Sequence, residues 1–253
     1  IQSCAPKNEL YYLADSGGKD SRVLRKLTEL AGVPFEAHYH SNPLDPPEIP
    51  RFLRTNFPDT IFDRAPVPFW KAFHSKGFPL RRTRWCCEYI KEWGGAGRTV
   101  LLGLRSDESA KRKTRCFVSW NEKGRTRFTK KTTRNVVCPL LLWTQKDVWA
   151  FLEKYKVPYC SLYDEGATGP YKGDGDIQRI GCVMCPCATD TERLAEFYRY
   201  PKIALNWQLA FKRLKRDKPH RMAKFATWEE AFWWWMAPPR KSKQAKPERM
   251  KDL

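Results

Sequence analysis

No run of apolar residues in this 253-residue sequence is long enough to span a bilayer, and no secretory leader opens it. Both absences point to the cytoplasm and away from a membrane. Disulfides seldom persist in that reducing compartment, so the nine cysteines are expected to bind metal or to carry redox chemistry. Staples are not needed either, because a chain of this length with 42% hydrophobic residues can bury a full core. Acidic residues are scarce: 28 Asp plus Glu face 47 Lys plus Arg, a formal net charge of +19. A field of that sign attracts phosphates, whether on a nucleotide or along a nucleic-acid backbone, although a basic solubilising tail would give the same total. There is no internal repeat, and the length suggests one catalytic domain with appendages.

Hydrophobic spacing alternates between strand and helix in the βαβ manner. Leu10, Tyr11, Tyr12 and Leu13 read as a buried strand that Gly17 and Gly18 end. Val23, Leu24, Leu27 and Leu30 then recur at helical spacing. Residues 35–39 read as a second strand, with a helix expected within 46–56, another over 86–93 and a strand over 99–104. That last strand ends at Arg105, Asp107 and Glu108, the carboxyl end where open α/β sheets place their ligands. Residues 111–135 are dense in Lys, Arg and Thr and predict an exposed basic hairpin before a strand over 136–142. Thr144 with Asp147 predicts a capped helix, and 166–175 a glycine-rich, mobile connection. Helices follow over 192–200 and 203–214, with one more opened by Thr227 and Glu230 that carries Trp233, Trp234 and Trp235.

Ser16-Gly17-Gly18-Lys19-Asp20-Ser21 follows a strand and opens a helix. Two glycines let backbone N–H groups approach an anion whose charge the helix dipole favours, so phosphate binding is the natural reading. It is not the Walker pattern, which needs a longer glycine-flanked loop. The hexapeptide resembles the PP-loop of ATP pyrophosphatases, which cleave ATP between its α and β phosphates. Gly103-Leu104-Arg105-Ser106-Asp107-Glu108-Ser109-Ala110-Lys111-Arg112, Pro139 to Thr144, Asp147-Val148-Trp149 and Val157-Pro158-Tyr159 follow in an order that resembles the phosphoadenosine phosphosulfate reductase family. Residues 40–48 stand where that family has a loop after its second strand, although its usual Asp-Thr-Gly is missing.

The resemblance implies an α/β fold with a doubly wound, mostly parallel sheet. It covers most of residues 10–186, and with the helical spacing and the polar, basic C-terminal composition the chain divides into a nucleotide-binding catalytic domain expected over 1–188, a helical appendage over 189–237 and a basic tail over 238–253 expected to be disordered. The resemblance implies an adenine nucleotide over Ser16, Gly17, Gly18, Lys19, Asp20, Ser21, Gly103 and Arg105. Lys19, Asp20, Arg105, Glu108 and Arg112 become the candidate catalytic residues. A guanidinium offers a fixed fork of donors to phosphate or sulfate oxygens, Glu108 is expected to orient Arg105, and Asp20 or Asp45 to hold magnesium.

Cys182-Val183-Met184-Cys185 lets two thiolates converge on one metal centre, and Cys86-Cys87 supplies a distant second pair. Adjacent cysteines fit one tetrahedral zinc ion poorly and a larger cluster better, with zinc or free redox thiols as the alternatives. This double pattern resembles the four-iron, four-sulfur sites of adenylylsulfate reductases and of the ATP pyrophosphatases of DNA phosphorothioation. Cys187 is a replacement ligand, a sulfur carrier or a bystander, while Cys116, Cys138 and Cys160 read as small core hydrophobes.

Two chemistries share such a scaffold. Sulfonucleotide reductases carry a Glu-Cys-Gly nucleophile near the C-terminus, and no cysteine follows Cys187 here. The intact loop suits a full triphosphate. The expectation is therefore ATP-dependent adenylation of an acceptor for sulfur incorporation, with the excess of basic residues favouring a nucleic-acid acceptor and a protein such as a cysteine desulfurase as sulfur donor. Trp233 to Trp235 would then stack bases or simply pack a helix. Reduction of adenylylsulfate or its 3′-phosphorylated form, and a non-catalytic nucleotide-sensing subunit, are the other readings, and the oligomeric state is open.

Overall fold

A computed structural model describes residues 1–124, 128, 131–165 and 179–237. The expected glycine-rich connection over 166–175 and the basic tail over 238–253 lie outside these residues. Six strands form a single sheet among the described residues, in the order β3-β2-β1-β4-β6-β5. They are β1 (Tyr11–Ala14), β2 (Phe35–Ser41), β3 (Ile61–Arg64), β4 (Thr99–Leu101), β5 (Val118–Lys123) and β6 (Thr133–Val137). All neighbours are parallel except β5 and β6, so the fold is α/β with a mostly parallel sheet flanked by helices.

Central strands of a parallel sheet are covered on both faces, which is why Tyr11, Tyr12 and Leu13 form an unbroken apolar run. Helix α1 (Lys19–Leu30) carries Asp20 in its first turn and closes on Gly32 at φ +63°, a left-handed residue that glycine adopts without strain. Its Val23 and Leu24 pack with Tyr11 and Leu13 and with Val148 and Leu152 of α6 (Gln145–Lys154). The capping box expected for α6 is present, Thr144 Oγ1 accepting from Asp147 N at 3.2 Å and Asp147 accepting from Thr144 N at 2.7 Å. A second core unites α2 (Glu48–Asn56), α3 (Phe69–Lys76) and α4 (Trp85–Ile90) with α8 (Pro201–Asp217) and α9 (Trp228–Met236), so the C-terminal helices share their apolar interior with helices that precede β4. Among the described residues no helix is long and apolar enough to cross a membrane.

Several local expectations are corrected. The hairpin forms, but its return strand is Thr133–Val137, and the chain turns at Cys138 and Pro139, where proline has no N–H to continue a ladder. A short helix α5 (Ala110–Lys113) precedes the hairpin, and β3 and α3 are additions to the sequence reading. Cys138 and Cys160 are buried as expected, whereas Cys116 is exposed. Packing rather than stacking governs two of the three tryptophans: Trp235 is buried and donates from Nε1 to Pro79 O at 2.7 Å, and Trp234 lies against Phe78 and Phe225. Trp233 alone is half exposed, at 46%.

Candidate functional site

Strand order reverses at β1, with β2 and β3 to one side and β4, β6 and β5 to the other. The crevice outside the carboxyl ends of β1 and β4 is the switch point at which such sheets bind ligands. Both nucleotide elements read from the sequence end there. In the loop after β1, Gly17 stands at φ +71°, and a Cβ on it would lie 2.7 Å from Ile49 Cγ2 of α2. The glycine is therefore required by backbone sign and by the neighbouring helix together. Asp15 Oδ1 accepts from Gly17 N at 2.9 Å, and Ser21 Oγ donates to Gly18 O at 2.7 Å, so the loop's shape is fixed by its own side chains.

Lys19 is 1% exposed, and its Nζ lies 3.1 Å from Asp20 Oδ2. Burial pushes this lysine below its ordinary range, opposed by the Asp20 carboxylate. From β4 comes Arg105, also 1% exposed, with Nε 2.6 Å from Asp20 Oδ1 and Nη1 2.7 Å from Asp107 Oδ2. Asp20 is thus clasped between two cations from different loops. Gly103 makes the approach possible, since a Cβ there would stand 3.2 Å from Asp20 O. Glu108 does not hold the Arg105 guanidinium as expected: it accepts the Arg105 backbone N–H at 3.4 Å and pairs with Arg112. Burial lowers the pKa of Arg112.

Three residues around the loop escaped the sequence reading. Arg22, fully buried, pairs with Asp15 and lies 4.2 Å from the Phe57 ring centroid, which anchors α1 beneath the loop. The Tyr163 hydroxyl accepts from Lys19 N at 3.1 Å, and burial raises its pKa. Lys91 is the third, and it belongs to the cysteines as well. A cavity of about 140 Å³ beside the loop is lined by Ser16, Gly18, Asn42, Asp45, Lys91 and Ile180 among others. Of the two carboxylates considered for magnesium, Asp45 is already engaged, accepting from Tyr39 Oη at 2.6 Å and Asn42 Nδ2 at 2.7 Å.

Cys86 and Cys87 on α4 and Cys182 and Cys185 from the segment before α7 (Asp190–Arg199) line one cavity of about 300 Å³, together with Lys91 and Cys187. Lys91, Ile180 and Gly181 border both cavities, so the thiols and the phosphate loop share a wall. A hydrogen bond from Cys86 draws the Cys87 thiol down, while burial pushes Cys182 up to about 12 and raises Cys185. Cys182, with Asp45 second to it, holds Lys91 above its ordinary range. Among the described residues no three His, Cys, Asp or Glu side chains gather closely enough to hold a single metal ion.

The phosphoadenosine phosphosulfate reductase domain matches residues 11–188. An uncharacterized protein of Methanocaldococcus jannaschii is 27% identical over 239 residues, 90% of this chain and 54% of its own length. An adenosine 5′-phosphosulfate reductase of Staphylococcus haemolyticus is 34% identical over 96 residues, 38% of this chain and 32% of its own. A probable FAD synthase of Caenorhabditis elegans is 36% identical over 159 residues, 62% of this chain and 28% of its own. The chain spans about half, or less, of the length of these curated relatives. With the domain match covering both strand-end loops and all four clustered cysteines, the chain belongs to the phosphoadenosine phosphosulfate reductase domain family.

Proposed function

We propose that this chain is a PP-loop ATP pyrophosphatase that adenylates an acceptor, a nucleic acid, for sulfur incorporation. The observation that carries the reading is the clasp of Asp20 by Lys19 and Arg105 at the mouth of an unaltered phosphate loop. A triphosphate entering the loop competes for both cations, and a freed Asp20 is then the carboxylate available to magnesium. The acceptor oxygen attacks the α-phosphorus, the bond to the bridging oxygen breaks, and pyrophosphate leaves with the electron pair. The terminal sulfur of a persulfide on a donor protein such as a cysteine desulfurase then displaces AMP, and a second thiol reduces the S–S bond so formed, leaving the sulfur on the acceptor and a disulfide between the two donor thiols. Arg105 and Arg112 would neutralise the charge that develops on the phosphate oxygens.

Cys86, Cys87, Cys182 and Cys185 would hold a four-iron, four-sulfur cluster. Support comes from four thiols lining a single cavity that adjoins the loop. Such a group, when bound, offers irons that four thiolates from distant segments can share.

Reduction of a sulfonucleotide is the second reading, favoured by the likeness to an adenosine 5′-phosphosulfate reductase. One experiment separates the two. Anaerobically purified protein is given ATP, magnesium and a panel of short DNA and RNA strands and duplexes, and pyrophosphate is measured. In parallel it is given adenylylsulfate or its 3′-phosphorylated form with thioredoxin or glutathione, and sulfite is measured. Pyrophosphate release without sulfite is expected, whereas thiol-dependent sulfite release at a catalytic rate would overturn the proposal in favour of the reductase.

A further inference from the structure

The C-x-x-C segment is a hydrogen-bonded turn, Cys185 N donating to Cys182 O at 3.1 Å. Its third residue, Met184, is fully buried at φ +57°. Positive φ at that position marks a type II turn, which ordinarily selects glycine or asparagine. Methionine there is strained relative to the right-handed alternative. The type I and type II forms differ by a flip of the central peptide, the one that carries the Met184 N–H. That N–H donates to Glu196 Oε2 at 2.5 Å, from a carboxylate only 3% exposed on α7. Val183 N, one residue earlier, donates to Leu44 O at 2.7 Å. Helix α7 is itself pinned, because Arg193 donates to the terminal carbonyls of Trp235 and Met236 at 2.5 and 2.9 Å.

We infer that Glu196 is a positioning residue that selects the peptide flip of the Cys182–Cys185 turn and so fixes where both thiols stand. The C-terminal helices are then a working wall of the cysteine site, and Glu192, Glu196 and Trp207 line the same cavity as the thiols. This rests on the reading of that cavity as a thiolate site, and its test has an arm that needs no metal.

The test compares wild type, Glu196→Gln, Glu196→Leu, Met184→Gly and the Glu196→Leu/Met184→Gly pair. Alkylation of each cysteine by iodoacetamide is followed by peptide mass spectrometry on metal-free protein. Iron and acid-labile sulfide are measured after anaerobic reconstitution. Glutamine keeps an acceptor oxygen and is expected to match wild type within about twofold, since an unchanged bond leaves the turn preference unchanged. Leucine should change the alkylation rates of Cys182 and Cys185 by about fivefold or more, the factor that ~1 kcal/mol of turn preference supplies. Cys138 and Cys160 should be unaffected. Glycine at 184 should restore the leucine variant, because it adopts positive φ without strain. Wild-type rates in Glu196→Leu, or no restoration by Met184→Gly, overturns the proposal. Should Glu196→Leu fail to fold, altered Cys182 and Cys185 rates in Glu196→Gln overturn it equally. A wild-type chain that takes up no iron would remove the cluster reading, with the alkylation pattern still deciding the role of Glu196.

Discussion

The phosphate loop and the cysteine cavity share Lys91, Ile180 and Gly181, yet they are built in opposite ways. Six consecutive residues make the loop, and the adjacent Asp15 with Ser16 and Ser21 supplies most of the bonds that hold it, Tyr163 adding one from afar. The cavity draws its thiols from two segments about a hundred residues apart, and other walls come from α7, α8, Pro79 and the chain around Leu44. A site encoded locally survives damage elsewhere and fails at one backbone angle. A site assembled by tertiary packing fails whenever any wall moves.

The largest effect is therefore expected from Gly17→Val. Positive φ and the 2.7 Å approach to Ile49 leave no room for a branched side chain, so the loop must distort and α2 must give way. Calorimetric titration with ATP should show affinity lowered by about 100-fold, equivalent to ~2.8 kcal/mol. Unchanged affinity in a folded variant would move the nucleotide away from this loop. Arg105→Ala is expected to match it in size. Removing a buried guanidinium frees Asp20 from one of its two partners and deletes a charge beside the transferred phosphate, so pyrophosphate release should drop by about 100-fold. The asymmetry between the two regions is sharpened by Cys182→Ser. Loss of one of four thiolates should remove about half or more of the bound iron, while ATP affinity stays within about twofold. An equal loss of ATP affinity would mean that the shared wall couples the regions.

Legibility followed the same division. The loop, α1, the capping box of α6 and the Thr227 cap of α9 lie within a few residues of sequence, where propensity and spacing speak directly. Tyr163 is 144 positions from the amide it accepts from, and nothing around it in sequence marks it as a loop partner. Arg22 looks like any cation on a helix until Asp15 and the Phe57 ring bury it. Strand β3 is four residues long, polar at Asp63 and Arg64 and buried nowhere, so it carries no periodicity. The run of apolar residues from Val136 to Leu142 misled for the converse reason: Leu140 and Leu141 are buried in a turn, where apolar character says nothing of extended backbone. The convergence of the two cysteine pairs was legible only through the family resemblance, because chain spacing alone cannot say which distant segments meet.

The smallest effect expected lies on the seam between the regions. His40 sits at the end of β2, accepts from Tyr12 Oη at 2.7 Å, bonds the Lys91 carbonyl at 3.2 Å through Nδ1 and stacks on Trp93. Burial keeps the ring neutral, so with the proton on Nδ1 for the Lys91 carbonyl, Nε2 is left to accept from Tyr12. Burial pushes its pKa down to about 4. The unfolded chain takes up a proton below about 6.5 that the folded ring refuses, so His40 favours folding fully above that pH and progressively less towards about 4. Glutamine can donate to Lys91 O and accept from Tyr12 with no titration. Urea unfolding of wild type should therefore lose about 1 kcal/mol more than His40→Gln between pH 7 and pH 5, a value discounted for partial solvent access. Parallel pH dependence in the two proteins would mean that the imidazole at this seam takes up its proton without opening the contact to Lys91.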